Sequence, residues 1–336
     1  MKLTAPVVLP FVIALMLAFV MYPIILGLDK LRCPRLISIL IVILIIVAAM
    51  FVLGLIFFTS GSRIIAVYPR YETRITEIYL WVAMFFELPF DESLSIWDNI
   101  WGQLGIRRWV RNFAFSFTNI FLQFISSAVL VVLFVAFLLG EASYFKEKLE
   151  VAFGERSDRI KRIGDDLTTQ VTRYLTAKFL ISLVNGIIFA VSFTIIGLEF
   201  AIVWGIIQFI LNFIPNLGSI AASVAICLFA LIQFWPEPAP VIMVIAVVLV
   251  VNLILCNILD PKIVGEHVGI SPLMVLISLA IWGYIWGFAG MILAVPMTVI
   301  IKIICENIPV MEPVSVLLGT RRSARAKKAE LEKAES

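Results

Sequence analysis

The chain has 336 residues, of which 62% are hydrophobic and only 15% are charged, and its mean hydropathy is +1.07. A soluble domain is about half apolar and about a quarter charged, and a single soluble core cannot hide this excess of apolar surface. A bilayer supplies the missing apolar solvent, and several runs reach the roughly 20 residues that a spanning helix needs. The net charge of +3 is too small to indicate a nucleic-acid partner. The composition therefore predicts an all-α polytopic membrane protein whose partner is the lipid bilayer.

Apolar runs along the chain predict about seven or eight transmembrane helices, with a broken or re-entrant helical hairpin among them. The runs fall at 6–28, 38–59, 117–140, 178–197, 200–214, 217–235, 239–259, 272–286 and 287–306. Two of them, 200–214 and 272–286, are short for a full crossing. They are tilted, paired with their neighbours, or re-entrant, and the pattern leaves these three interpretations open.

Charge divides the chain further and predicts its orientation, because lysine and arginine concentrate in short cytoplasmic loops. Basic residues cluster in the loop 29–37 and beyond Gly319, so we expect the C-terminus in the cytoplasm. The predicted parts are N-terminal transmembrane helices at 1–59, an external amphipathic segment at 60–116, a transmembrane helix at 117–140, cytoplasmic amphipathic helices at 141–177, a C-terminal transmembrane core at 178–306 and a basic cytoplasmic tail at 307–336. This arrangement requires either a further helix before residue 1 or a segment 6–28 that is broken at its prolines and partly re-entrant.

The most informative stretch is Asn212 to Gly218, a polar and helix-breaking sequence between two apolar runs. Proline removes a backbone donor and glycine permits unusual dihedral angles, so Pro215 and Gly218 predict a broken helix. Freed backbone groups are tolerated in a membrane only when they are buried in protein or line a wet cavity. Transporters use such breaks to surround solutes. We therefore predict that Asn212, Pro215, Asn216 and Gly218 line a substrate pathway, although an ordinary surface turn is the alternative.

A second polar stretch begins in the run 239–259. Asn252 and Asn257 are predicted to face the bundle interior, where contact with a solute and hydrogen bonding between helices are both open. Asp260 follows them, and Glu199 lies in an earlier loop. These two carboxylates are candidates for proton or ion coupling, but solvated charges at the membrane interface would look the same.

Glycine and proline residues near the end of the apolar core predict helix breaks and close packing. Gly283 and Gly287 are four residues apart, which suits either close helix approach or a turn between two short helices. The remaining positions of this group are Pro261, Gly265, Pro272, Gly290 and Pro296.

Sequence motifs for enzymes are missing. The chain has one histidine, and neither a G-x-S-x-G elbow nor a G-x-x-x-x-G-K-[ST] phosphate loop occurs. Its four cysteines have no paired spacing. We expect no catalytic activity, no cofactor and no metal site, and transport would draw its energy from an ion gradient, a solute gradient or a separate subunit.

The sequence resembles the autoinducer-2 exporter family of bacterial membrane proteins. The resemblance rests on Leu9-Pro-Phe11 through Tyr22-Pro23, Pro34, Asn212-Phe-Ile-Pro-Asn216 with Gly218, Asn257 with Pro261, Gly265, Gly269 and Ser271-Pro-Leu273, and Gly283, Gly287, Gly290 and Ala294-Val-Pro296. It implies seven or eight helices, a homo-oligomer, a place in the bacterial cytoplasmic (inner) membrane and export of a small solute. Some members of this family export autoinducer-2 and others exchange sodium or lithium for protons. Members carry an apolar helix before the segment that matches Pro6 to Leu28, so a truncated start is one expectation.

The predicted function is that of a carrier or exporter for a small, polar, largely uncharged solute such as the quorum-sensing signal autoinducer-2. A sodium(lithium)/proton antiporter is the alternative within transport. From another class, a non-transporting scaffold or regulator would use 60–116 and 141–177 as docking surfaces.

Overall fold

The computed structural model describes residues 5–85, 125–141, 144, 148, 151, 157–215, 217–259, 270–308 and 311–319. Within these ranges the chain is helical and forms no strand beyond one isolated bridge. Six helices are long and apolar enough to cross a membrane, and two shorter apolar helices accompany them. The predicted all-α polytopic membrane fold is confirmed.

The first two helices are α1 (Ala5–Lys30) and α2 (Arg35–Phe85). Pro10 and Pro23 lie inside α1, which remains continuous, so the interpretation of 6–28 as a helix broken at its prolines is wrong. A proline that removes one backbone hydrogen bond is tolerated in a membrane helix when neighbouring groups satisfy the freed carbonyl.

Helix α2 is longer than any bilayer is thick, since 51 residues at 1.5 Å each extend about 76 Å. Its apolar part ends at Gly61, and the remainder continues as the same helix through Pro69. The predicted boundary between 59 and 60 therefore marks a change of composition inside one helix. The interfacial helices predicted for 60–116 are, as far as Phe85, the end of α2, and the rest of that segment lies outside the described residues.

The next described helices are α3 (Ile125–Glu141) and α4 (Ser157–Ile196). Helix α4 passes through the predicted boundary at 177/178 without interruption. One hydrophobic cluster is built from α1, α2, α3, the first half of α4 and the C-terminal part of the chain, with Ala14, Val42 and Val135 fully buried in it.

Two further helices follow, α5 (Ala201–Leu211) and α6 (Leu217–Phe234). Helix α5 packs so closely against α4 that the two backbones are in contact. A Cβ atom added to Gly205 would stand 2.6 Å from the carbonyl oxygen of Gly186, and one added to Gly186 would stand 2.8 Å from that of Gly205. Small residues allow membrane helices to approach in this way, so α5 and α4 meet backbone to backbone at this point.

Helix α7 (Pro238–Val251) begins with a proline in its first turn and continues into a π-helical stretch, Asn252–Leu259. A second hydrophobic cluster joins α4, α5, α6 and α7, with Phe189, Phe193 and Ile226 fully buried. Wide helical turns of the π type are uncommon and often occur at functional sites.

The last long helix is α8 (Pro272–Asn307), and it is followed by the short α9 (Glu312–Leu318). Helix α8 is interrupted at Gly287, whose dihedral angles (φ 63°, ψ −140°) are not helical. The two arms are antiparallel, because the Ser278 hydroxyl contacts both the carbonyl oxygen of Ala294, at 2.9 Å, and the Thr298 hydroxyl. The region 272–306 is therefore a helical hairpin with its turn at Gly287. Of the two roles predicted for Gly283 and Gly287, the turn is the one observed for Gly287.

Candidate functional site

The helix break predicted at Asn212 to Gly218 is present and divides α5 from α6. Helix α5 ends at Leu211, and a turn is held by Ile214 N–H donating to the carbonyl of Leu211 at 2.9 Å. Gly218 is required there, because a Cβ atom would lie 1.9 Å from the Leu211 carbonyl oxygen. The two helices are antiparallel, since the ring of Trp204 meets that of Phe229 at 5.3 Å. They form a second hairpin.

The Asn212 side chain holds this break to its surroundings. Its Nδ2 donates to Ser182 Oγ of α4 at 2.9 Å, and its Oδ1 accepts from Ser219 Oγ at 3.4 Å. All three side chains are buried. Three helices therefore meet through polar groups in the interior of an apolar bundle, which is where polar residues of membrane proteins have functional roles.

The side chains of Ser182, Asn212 and Ser219 form what we call the Asn212 cluster. A second polar contact extends this cluster to α7. Asn252 Nδ2 donates to Ser223 Oγ at 2.8 Å, and Ser223 Oγ donates to the carbonyl of Ser219 at 2.6 Å. Asn252 therefore joins helices, as one of the two predicted roles requires, and it opens the π-helical stretch. Asn257 lies in that stretch, but its side chain is outside the described residues, as are Asn216, Asp260, Pro261 and Gly265.

Two amide side chains of the same region were not predicted from the sequence. Asn185 of α4 and Gln208 of α5 are both fully buried. Neither the nitrogen nor the oxygen of either amide has a hydrogen-bond partner within the described part of the protein. Leaving a buried polar group unpaired costs about 1–3 kcal/mol. Such a cost is typical of positions kept for function.

Helical spacing is the signal that could have identified these residues. Lys178, Ser182 and Asn185 recur at intervals of four and three in α4, and Gln208 and Asn212 are four apart in α5. Residues at these intervals share one face of a helix. All five are buried, so a polar stripe runs along the contact between α4 and α5.

The α8 hairpin packs directly on the break. Ile214, within the turn, forms a buried cluster with Leu279 and Ala294 from the two arms of α8. The arms are drawn together by Gly290, where a Cβ atom would stand 1.9 Å from the Trp282 carbonyl oxygen.

Three other predicted packing positions lie in α8. Pro272 occupies the first turn of the helix, after the extended N-cap Ser271. Gly283 packs against Met291, whose Cγ would be 2.9 Å from an added Cβ. Pro296 lies inside the second arm without interrupting it, so the break in this helix occurs at the glycine and not at the proline.

Glu199 lies at the other end of α5, in the turn between α4 and α5, and it is ion-paired. Its carboxylate accepts hydrogen bonds from Arg70 Nη2 and from the Tyr71 hydroxyl, both of α2. Its backbone N–H donates to Gln233 Oε1 at 2.7 Å, and Gln233 Nε2 donates to the Gly197 carbonyl at 2.9 Å. We call these five residues the Glu199 cluster, and it ties the C-terminal half of α2 to the C-terminal ends of α4 and α6.

The electrostatics of the Glu199 cluster keep the carboxylate ionised. Partial burial acts to raise the pKa of Glu199, but the hydrogen bonds from Tyr71 and Arg70 and the charges of Arg70 and Arg63 outweigh it, so the pKa is lowered. Burial, together with the hydrogen bond to Glu199, raises the pKa of Tyr71. A lowered pKa does not favour proton uptake near neutral pH, and the coupling role of Glu199 stays a prediction.

Metal binding has no support among the described residues, where no three His, Cys, Asp or Glu side chains come together. Cys33, Cys227 and Cys305 are free thiols.

These features define a class of protein. Several long apolar helices, two helical hairpins packed on one another and a polar cluster buried at a helix break are typical of multi-pass transport proteins. The chain belongs to the AI-2E family of transporters, whose sequence model matches residues 1–309.

Similar proteins of known name are bacterial. A protein of Haemophilus influenzae, provisionally named a transport protein, is 31% identical over 328 residues, which cover 95% of this chain and 91% of the relative. A protein of Borreliella burgdorferi with the same provisional name is 30% identical and covers 95% and 86% of the two chains. The AI-2 transport protein TqsA of Escherichia coli is 29% identical and covers 95% and 91%.

Proposed function

We propose that this protein is a carrier that exports a small, polar, uncharged solute across the bacterial inner membrane, and that autoinducer-2 is the solute to test first. The Asn212 cluster carries the proposal. It places amide and hydroxyl groups, which bind neutral polar molecules by hydrogen bonds, at a helix break inside the bundle. The relative TqsA, named as an AI-2 transport protein, supports the choice of solute.

The proposal includes an orientation. The Lys30 and Arg35 ends of the first two helices and the C-terminus would lie in the cytoplasm, following the distribution of basic residues. The Glu199 cluster would then lie at the external end. The two hairpins would enter from opposite sides, and Ile214 of the first meets the arms of the second within the bilayer.

The experiment is uptake of autoinducer-2 by inside-out vesicles, in which an exporter transports inward. Native protein, Asn212→Ala and empty vesicles are compared at equal protein abundance. We expect uptake above the empty vesicles for native protein and a loss of at least tenfold for Asn212→Ala, because the substitution removes the amide and with it the hydrogen bonds to Ser182 and Ser219. The matched control is Thr194→Ala, which removes an exposed α4 hydroxyl bonded only to the Ala190 carbonyl of its own helix. Uptake by native protein no greater than in empty vesicles would reject autoinducer-2 as the solute.

The two alternatives make different predictions in the same vesicles. A sodium(lithium)/proton antiporter would change internal pH when sodium is added, and Glu199→Gln would abolish the response. A scaffold would give neither signal, and Asn212→Ala would leave its cellular phenotype intact.

A further inference from the structure

The amides of Asn185 and Gln208 lie at the same level of the contact between α4 and α5. Helix α5 runs antiparallel to α4, with Gly205 against Gly186 at one point and Asn212 against Ser182 at another. Gln208 lies between Gly205 and Asn212 on its helix, and Asn185 lies between Ser182 and Gly186 on the other. The two amides therefore fall between the same two points of contact, one helical turn from the Asn212 cluster.

Nothing in the described protein satisfies these amides, although both are fully buried. Amides inside membrane proteins commonly bond to a neighbouring helix, and Asn212 and Asn252 do so here. Asn185 and Gln208 instead lie on facing helices of one interface, where together they offer two N–H₂ donors and two carbonyl acceptors.

We propose that Asn185 and Gln208 are specificity-determining residues that bind the transported solute, and that this solute is a neutral molecule with neighbouring hydroxyl or carbonyl groups. The proposal rests on the proposed function, because it assigns residues to the same pathway. Amides suit such a molecule, since each can donate to one oxygen and accept from a hydroxyl. Lys178, the charged residue on this face of α4, is seven residues from Asn185, about 10 Å along the helix. The binding groups themselves are therefore uncharged.

A solute reaches these amides when α5 separates from α4. The Gly186–Gly205 contact suits this separation, because backbone meets backbone and neither residue has a side chain to interlock. In the structure the two helices are in contact and both amides are fully buried.

The test uses apolar side chains of nearly the same shape, Asn185→Leu and Gln208→Met, singly and together. Because these amides have no partner among the described residues, such replacements should be neutral or should stabilise the fold, whereas amides with a structural role would give destabilised variants. Purified proteins are compared by thermal unfolding, and the same variants are assayed for autoinducer-2 uptake in inside-out vesicles. The control is Ser38→Ala, which removes a fully buried hydroxyl of α2 that also has no partner among the described residues.

We expect the single variants to unfold at or above the unfolding temperature of the native protein. Their autoinducer-2 uptake should be at least tenfold lower than native, while Ser38→Ala should transport normally. If native protein takes up autoinducer-2 and the double variant takes up as much, the inference is overturned and the proposed function stays intact. The amides would then hold only water. Absence of uptake by native protein would remove the proposed function, and the inference with it.

Variants that fail to insert are replaced by Asn185→Gln and Gln208→Asn, which keep the amide but move it by one methylene group. We expect a KM for autoinducer-2 raised at least tenfold at native abundance in the membrane. A native KM in both of these variants would contradict a contact with the solute.

Discussion

Replacing Gly218 by alanine tests the helix break directly. The added methyl carbon would stand 1.9 Å from the Leu211 carbonyl oxygen and 3.0 Å from the Ile214 Cβ. Ordinary carbon–oxygen contacts are about 3.3–3.6 Å, so α6 must move by more than 1 Å relative to α5. The obstacle is backbone, which cannot rotate away as a side chain can.

The cost of this displacement can be estimated. Overpacking a well-packed site costs about 1–3 kcal/mol, and rigid backbone on both sides puts Gly218→Ala at the upper end. For chains of 150–250 residues, 1 kcal/mol shifts Tm by about 2–4 °C, so we expect a fall of roughly 5–10 °C in detergent. Ser219 follows Gly218 directly and bonds to Asn212, so uptake by the folded fraction should also fall.

The assay is thermal unfolding of purified native protein, Gly218→Ala and the control Gly164→Ala. Gly164 lies in α4 with no heavy atom within 4 Å of an added Cβ, and alanine in a helix is favoured over glycine by up to about 1 kcal/mol. The control should therefore keep or raise Tm. A Tm for Gly218→Ala within 1 °C of the native value would refute the close approach of α5 and α6 at this residue.

Three further predictions concern other contacts. Glu199→Gln should lower Tm at pH 7, and its difference in Tm from the native protein should shrink as the pH falls through the folded pKa of Glu199. The lowered pKa means that the native carboxylate stabilises the fold above its unfolded pKa of about 4.3, and this contribution is lost as pH falls through the folded value. A difference in Tm that stays the same over the whole acid range would count against the ion pair. Asn252→Leu should destabilise the protein by about 1 kcal/mol, because it removes the bond to Ser223. Asn252→Leu combined with Ser223→Ala should cost less than the sum of the single variants, because the shared bond is lost only once; costs that simply add would argue against a direct bond. Gly287→Ala should destabilise the protein by about 1–3 kcal/mol through backbone strain alone, because φ is 63° and no heavy atom lies within 4 Å of an added Cβ. An unchanged Tm would mean that the turn lies elsewhere.

Much of the fold could be predicted because apolar length and helix-breaking residues act locally. The run of apolar residues alone required membrane helices, and Pro215 with Gly218 required a break between α5 and α6. By contrast, proline did not break α1, because a spanning helix surrounded by protein and lipid keeps its form when one hydrogen bond is lost. Local composition likewise suggested a boundary at 59/60, where helix propensity carried α2 onward.

The candidate site was only partly predictable. Asn212 and Asn252 stood out as polar residues near a break, but their partners Ser182 and Ser223 are ordinary in sequence and depend on how the helices pack. Gln208 lies in an apolar run, where its spacing from Asn212 could have marked the helix face, but its burial without a partner among the described residues emerges only from the tertiary structure. The pairing of Glu199 with Arg70 joins residues 129 positions apart, and only the tertiary structure brings them together.

The α8 hairpin has a consequence for how this part of the chain enters the membrane during synthesis. From Pro272 to Ile301 the sequence contains no charged residue. The base of the hairpin is already closed, since Ser271 N–H donates to the Leu318 carbonyl at 3.0 Å. In the proposed orientation, with the C-terminus in the cytoplasm, both arms would be inserted together from the cytoplasmic side, and no hydrophilic segment would have to be translocated through the bilayer to complete them.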